Sequence, residues 1–167
     1  MKTIGKGGIF AAYKTFSYYP QGCLFGQLND ESCAAAVCRM ILHDDGIEIP
    51  EAYLRNILQT DRTGTDLSQI PKTLEIFGAK QRFTLVRLRT IDELKDKSWL
   101  FPTIAVVKVR GNDNFHTILI DKIFGDFVFV RDPLPSGQGK SYKVKMDDFT
   151  ANWIQKKTGN GLAIVVI

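Results

Sequence analysis

Hydrophobic and polar positions along this chain fall into two regimes. In the first half, ESCAAAVCRMILH is alanine-rich and apolar on most sides, with Val37, Met40 and Ile41 among its apolar positions, and predicts a central, buried helix. Asn29 and Asp30 stand before it as N-cap side chains, and Gly46 stops it. Pro50 opens a second helix, PEAYLRNIL, and Asp66 caps a third, DLSQIPKTLEIF, which closes at Gly78. Beyond that glycine the pattern alternates or runs continuously apolar. RFTLVRL, TIAVVKV, HTILIDKIF, DFVFVRD, SYKVKM and GLAIVVI read as strands. Gly125-Asp126 predicts a tight hairpin between HTILIDKIF and DFVFVRD, while IDELKDK and MDDFTANWIQKK read as short helices. Helices followed by a mostly antiparallel sheet make an α+β domain. Residues 1–20 carry aromatics and glycines without periodicity, so an arm or tether is expected there, ahead of a domain spanning residues 21–167.

Composition narrows the class. A chain of 167 residues fits one domain and can hide roughly 70% of its unfolded surface. The net charge of +4 is mildly basic, but no dense Lys/Arg block accompanies it, so a solvated basic surface is expected rather than a nucleic-acid partner. Three cysteines cannot complete a disulfide framework, and no CxxC pair occurs. The only histidines, His43 and His116, are far apart in sequence, so neither a structural zinc site nor a cofactor is expected. The start of the chain does not read as a signal peptide. No run approaches the ~20 apolar residues of a membrane-spanning helix, and a soluble chain acting in a cytoplasm is expected.

An odd, reduced set of cysteines raises the question of a reactive thiol. Such a thiol needs a depressed pKa, a nearby base and donors for a developing oxyanion. Cys33 falls in the first turn of the alanine-rich helix, where unpaired N–H groups and the macrodipole favour a thiolate. Cys38 lies deeper on an apolar face, as a small buried hydrophobe would, and Cys23 sits in a loop with no helix terminus to activate it. A cysteine chosen blindly is more often structural than catalytic. His43, ten residues beyond Cys33 on the same helix, is ~15 Å away along the axis and out of reach. His116, at the head of HTILID just after the polar loop GNDNF, is the remaining base. Asp132 ends the next strand directly before Pro133, and a hairpin would set it beside His116 as the group that orients the imidazole. Asp121 and Asp126 are its alternatives, and an Asp before Pro is also a common turn starter. Gln27, six residues ahead of Cys33, is a candidate oxyanion donor together with the Cys33 backbone N–H.

These residues carry a resemblance. Gln27, Cys33, Ala36 and Met40-Ile41-Leu42, followed by FHTILID and VRDP, resemble the bacteriocin-leader (double-glycine) peptidases, a family of papain-like cysteine proteases. The likeness runs from about Gln21 to Gly137. It implies a papain-like α+β fold in which the Cys33 helix packs on a mostly antiparallel sheet, and hydrolysis through Cys33, His116 and Asp132 with Gln27 at the oxyanion. The family usually has Asp before and Gly after its cysteine, where this chain has Ser32 and Ala34. Domains of this look also occur as toxic C-terminal portions of contact-dependent growth inhibition systems. The resemblance therefore implies cleavage of a protein substrate by an interbacterial effector, delivered into a target cytoplasm and blocked by an immunity protein. Leader processing, or deamidation or transglutamination on the same triad, are the alternatives.

Overall fold

The computed structural model describes residues 7–109, 111 and 114–167. Residues 1–6 of the expected arm lie outside the described residues, as do three positions, 110, 112 and 113, in and beside the polar loop ahead of His116.

The alanine-rich run becomes α1 (Cys33–Asp44), and residues Ala34 to Cys38 are all buried. Side chains this small let the helix lie close against its neighbours. Gly46 ends it with φ +82, a left-handed conformation that costs glycine little. The expected N-cap differs: Ser32 takes that position, and its hydroxyl turns back to the Asn29 carbonyl instead of capping the helix. Two further helices follow, α2 (Glu51–Ile57) and α3 (Gln69–Ile76). Asp66 stands two residues before the cap position, Ser68, and its carboxylate accepts from the Ser68 N–H and hydroxyl to form the turn that leads into α3.

Every segment with strand periodicity is a strand, and one strand was not read from the sequence. The unread one is β1 (Thr15–Ser17). The others are β2 (Phe83–Leu88), β3 (Thr103–Val107), β4 (His116–Phe124), β5 (Phe127–Asp132), β6 (Lys140–Lys145) and β7 (Gly161–Val166). The two short helices are α4 (Ile91–Lys97) and α5 (Met146–Trp153). The sheet runs β1-β6-β5-β4-β3-β7-β2, with antiparallel neighbours throughout. This is the α+β arrangement the pattern predicts. Among the described residues, no helix is long and apolar enough to cross a membrane.

Two cores sit on opposite faces of the sheet. Beneath α1, α2 and α3, Ile104, Leu119 and Ile164 form the sheet side of one. Phe149 and Trp153 of α5 pack over the other, with Leu94 of α4, Ile118, Val130 and Val144. The described part of the expected tether belongs to this second core. Phe10 is fully buried, its ring packs near Phe149 and Tyr142, and β1 pairs with β6. Three residues of strand and two apolar side chains carry too little periodicity to be read as an element, but they bury enough surface to fix the segment.

Candidate active site

The β4–β5 hairpin decides which residues meet. Phe124 pairs with Phe127 and Lys122 with Phe129, but Ile120 pairs with Val130 and Leu119 with Arg131, so a bulge falls at Asp121. Opposed residues share a face, and one inserted residue exchanges the faces beyond it. Continued from Leu119–Arg131, the shifted register sets Asp132 opposite Ile118 and thus on the face of His116. Without the bulge, Asp132 would share a face with Thr117 and Leu119. The shift brings His116 Nε2 to 2.8 Å from Asp132 Oδ1. An ionised carboxylate only accepts, so Nε2 carries the hydrogen and Nδ1 is left for a second partner. That partner is Cys33, the first residue of α1.

The sequence alternatives have other work. Asp121 accepts from Arg131 and from the Tyr18 hydroxyl. Asp126 stays in the exposed hairpin turn. His43 lies in the last turn of α1, near Glu48. Cys38 is buried, and burial pushes its thiol up to about 12.

Burial raises the Cys33 thiol as well, but there it is overcome. The hydrogen bond and charge of His116, with hydrogen bonds from the side chain and backbone of Thr117, bring it down to about 7. Thr117 Oγ1 has no nitrogen or oxygen partner. Burial would hold His116 neutral, and the charge and hydrogen bond of Asp132, followed by Cys33, raise it instead. The thiol is drawn toward neutrality while the imidazole is raised, so each partner favours the charged form of the other.

Asp132 is held by residues that sequence reasoning missed. Oδ1 accepts from the Leu134 N–H at 2.9 Å as well as from His116. Oδ2 accepts from the Tyr142 hydroxyl at 2.6 Å and the Ile9 N–H at 2.8 Å. Four donors thus satisfy both oxygens of this fully buried carboxylate. The chain reaches it through Gly8, at φ +78, where a Cβ would stand 2.7 Å from Oδ2. No linear motif announces Tyr142 or Ile9, because each enters only through the pairing of distant segments.

Gln27 is buried in the loop before Cys33, with its backbone tied to Pro133 and Gly137. Its amide donates to the carbonyls of Asn29 at 2.8 Å and Asp30 at 3.2 Å, and its Oε1 has no partner. Both amide hydrogens are therefore engaged with the loop that carries Cys33. Glu51 steadies the same loop by accepting from the Leu28 N–H, another contact invisible to sequence reasoning. In front of the thiol lies a cleft of about 370 Å³, lined by Cys33, Ala34, Gly64, Val106, Phe115 and Leu162 among others.

Residues 24–158 match the Peptidase C39 family. The chain belongs to that family. This C39 peptidase is 30% identical over 128 residues to the lactococcin-G-processing and transport ATP-binding protein of Lactococcus lactis subsp. lactis. That stretch is 76% of this chain but only 17% of the longer protein. Among solved structures, the peptidase is similar to a double-glycine-motif protease from an AMS/PCAT transporter in complex with its leader peptide. The TM-score is 0.71 at 18% identity, covering 91% of this chain and 96% of that one. The peptidase domain of Streptococcus ComA, a bifunctional ABC transporter involved in quorum sensing, superposes with a TM-score of 0.67 at 24% identity, covering 86% and 96%. At these identities the solved structures speak for the fold, which is the papain-like α+β arrangement. With the family match, the chain is a papain-like cysteine peptidase, a hydrolase.

Proposed function

We propose that this peptidase cleaves leader peptides at a double-glycine junction, with Cys33 as nucleophile and His116 as general base and acid. The observation that carries the reading is the Asp132–His116–Cys33 array, its carboxylate and imidazole buried and its thiol at the head of α1 opening on a cleft. The relative that processes and exports lactococcin G supports the same substrate class.

In this mechanism the Cys33 thiolate attacks the scissile carbonyl and His116 protonates the departing amine. Water, deprotonated by His116, then releases the acyl group from the sulfur. Asp132 keeps the Nε2 hydrogen in place and stabilises the imidazolium. The Cys33 N–H, free at the first turn of α1, donates to the oxyanion. Gln27 would be the second donor by turning its amide from the longer contact, that with Asp30, toward the substrate.

The test is a panel of synthetic leader peptides ending in Gly-Gly, followed by mass spectrometry. Cleavage after the second glycine is expected from the wild type, and none from Cys33→Ala or when the pair is replaced by Val-Val. Intact peptides across the panel, with a thiol that still alkylates, would overturn the leader reading. One-dalton shifts without new termini would show the triad deamidating glutamine instead. An interbacterial toxin with an immunity protein is the second reading and rests on resemblance. It predicts that the wild type, but not Cys33→Ala, arrests growth when expressed in a bacterium.

A further inference from the structure

The helices α1 to α3 cover only part of their face of the sheet, because the core beneath them draws its sheet residues from β2, β3, β4 and β7. Over β1, β6, β5 and the far end of β4, the same face carries lysines and aromatic rings in register. Phe16 pairs with Lys143, Lys143 with Phe129, and Phe129 with Lys122, which makes one alternating row across four strands. In the next row Lys145 pairs with Phe127 and Phe127 with Phe124. The ammonium groups lie over the rings: Lys143 stands 4.7 Å from the Phe127 centroid and Lys122 stands 4.6 Å from that of Phe129. At the rim, Phe124 is 67% exposed and Trp99 70%, and together with Lys122 they line one hollow. Leu100, next in the chain, is 75% exposed. Of the acidic groups on β4, β5 and their turn, Asp121 is engaged by Arg131, Asp132 faces the opposite side of the sheet, and Asp126 sits at the hairpin tip.

We propose that this face docks the peptidase on an anionic lipid bilayer, with Trp99, Leu100 and Phe124 in the headgroup layer and Lys122, Lys143 and Lys145 facing lipid phosphates. Exposed large apolar side chains beside clustered lysines are the composition of an interfacial anchor. A nucleic acid fits less well, since stacking needs open ring faces and here the lysines lie over them. His116 and Phe124 are opposite ends of β4, roughly 25 Å apart at strand rise. Docking therefore leaves the cleft free, and the surface does not rest on the substrate proposed above.

The chain carries its own reporter. It has two tryptophans, and Trp153 is fully buried, so a polarity change on docking is reported by Trp99. The full chain is mixed with vesicles of phosphatidylcholine alone or with added phosphatidylglycerol, and both emission and co-sedimentation are read. Expected are a blue shift and co-sedimentation with the anionic vesicles, neither with phosphatidylcholine, and both lost at high salt. Lys122→Gln with Lys143→Gln should weaken binding about fivefold for each lysine neutralised. Phe124→Ser with Leu100→Ser should abolish the shift. Both pairs should leave Cys33 alkylation at the wild-type rate, which certifies the fold. No partition onto anionic vesicles at low salt, or undiminished binding by both pairs, would overturn the proposal. So would a single-stranded RNA oligonucleotide that binds the face more tightly than the vesicles.

Discussion

At the residue scale, reactivity follows from the imidazole that Asp132 sets beside Cys33. The Cys33 thiol, drawn down to about 7, should alkylate with a rate that rises through neutral pH. Acid protonates the thiolate as pH falls through about 7, and the plateau above it lasts until the raised His116 loses its proton in the alkaline range. Peptide-resolved iodoacetamide labelling against pH measures this, and Cys38, near 12, should stay unlabelled in the native state. Asp132→Asn removes the charge behind His116, so the inflection should move up by about one pH unit or more, which is about a tenfold loss of labelling at pH 6. Tyr142→Phe removes one donor from Oδ2 and leaves the Ile9 N–H. A smaller upward move is expected, with a stability loss of about 1.5–3 kcal/mol typical of a hydrogen bond to a charged group. A labelling profile unchanged by Tyr142→Phe would show that the remaining three donors suffice.

At the element scale, the bulge in β4 is the device that aligns the site, and Arg131 pins it. Arg131 is buried, and it bonds Asp121 at the bulge, Asp44 at the end of α1 and the Cys23 carbonyl. It thus ties the helix headed by Cys33 to the hairpin that carries His116 and Asp132. Arg131→Met should cost about 3 kcal/mol in urea unfolding, chiefly because it leaves the largely covered Asp121 carboxylate without its cation. Restoring part of that loss with Asp121→Asn in the same chain would identify the stranded charge as the cause. An uncoupled, additive pair of effects would refute it.

At the scale of the whole molecule, the start of the chain closes the structure around the site. Phe10 fills the core beside Tyr142 and Phe149, and its neighbour Ile9 donates to Asp132. Phe10→Ala should destabilise the fold by about 3–5 kcal/mol. Because the segment also holds Asp132, the alkylation inflection should move in the folded variant. A stability loss with an unmoved inflection would separate packing from positioning.

Much of this was legible in the chain itself. The alanine-rich helix, its stop at Gly46 and the strands from β2 to β7 follow from local periodicity and from glycine placement, which act over a few residues. The pairing of His116 with Asp132 was legible because a hairpin joins their strands. Burial of residues 7–17, the turned-back Ser32 hydroxyl and the engagement of Gln27 with its own loop were not. Each depends on segments far apart in sequence, and a strand as short as β1 leaves no period to read. The amino-acid order by itself determined which elements form and which thiol and imidazole stand at their ends, since those properties are set by neighbours along the chain. Only the tertiary structure decided that a one-residue bulge turns Asp132 to the face of His116, and that Tyr142 and Ile9 hold its second oxygen, because register and burial are settled between strands rather than within them.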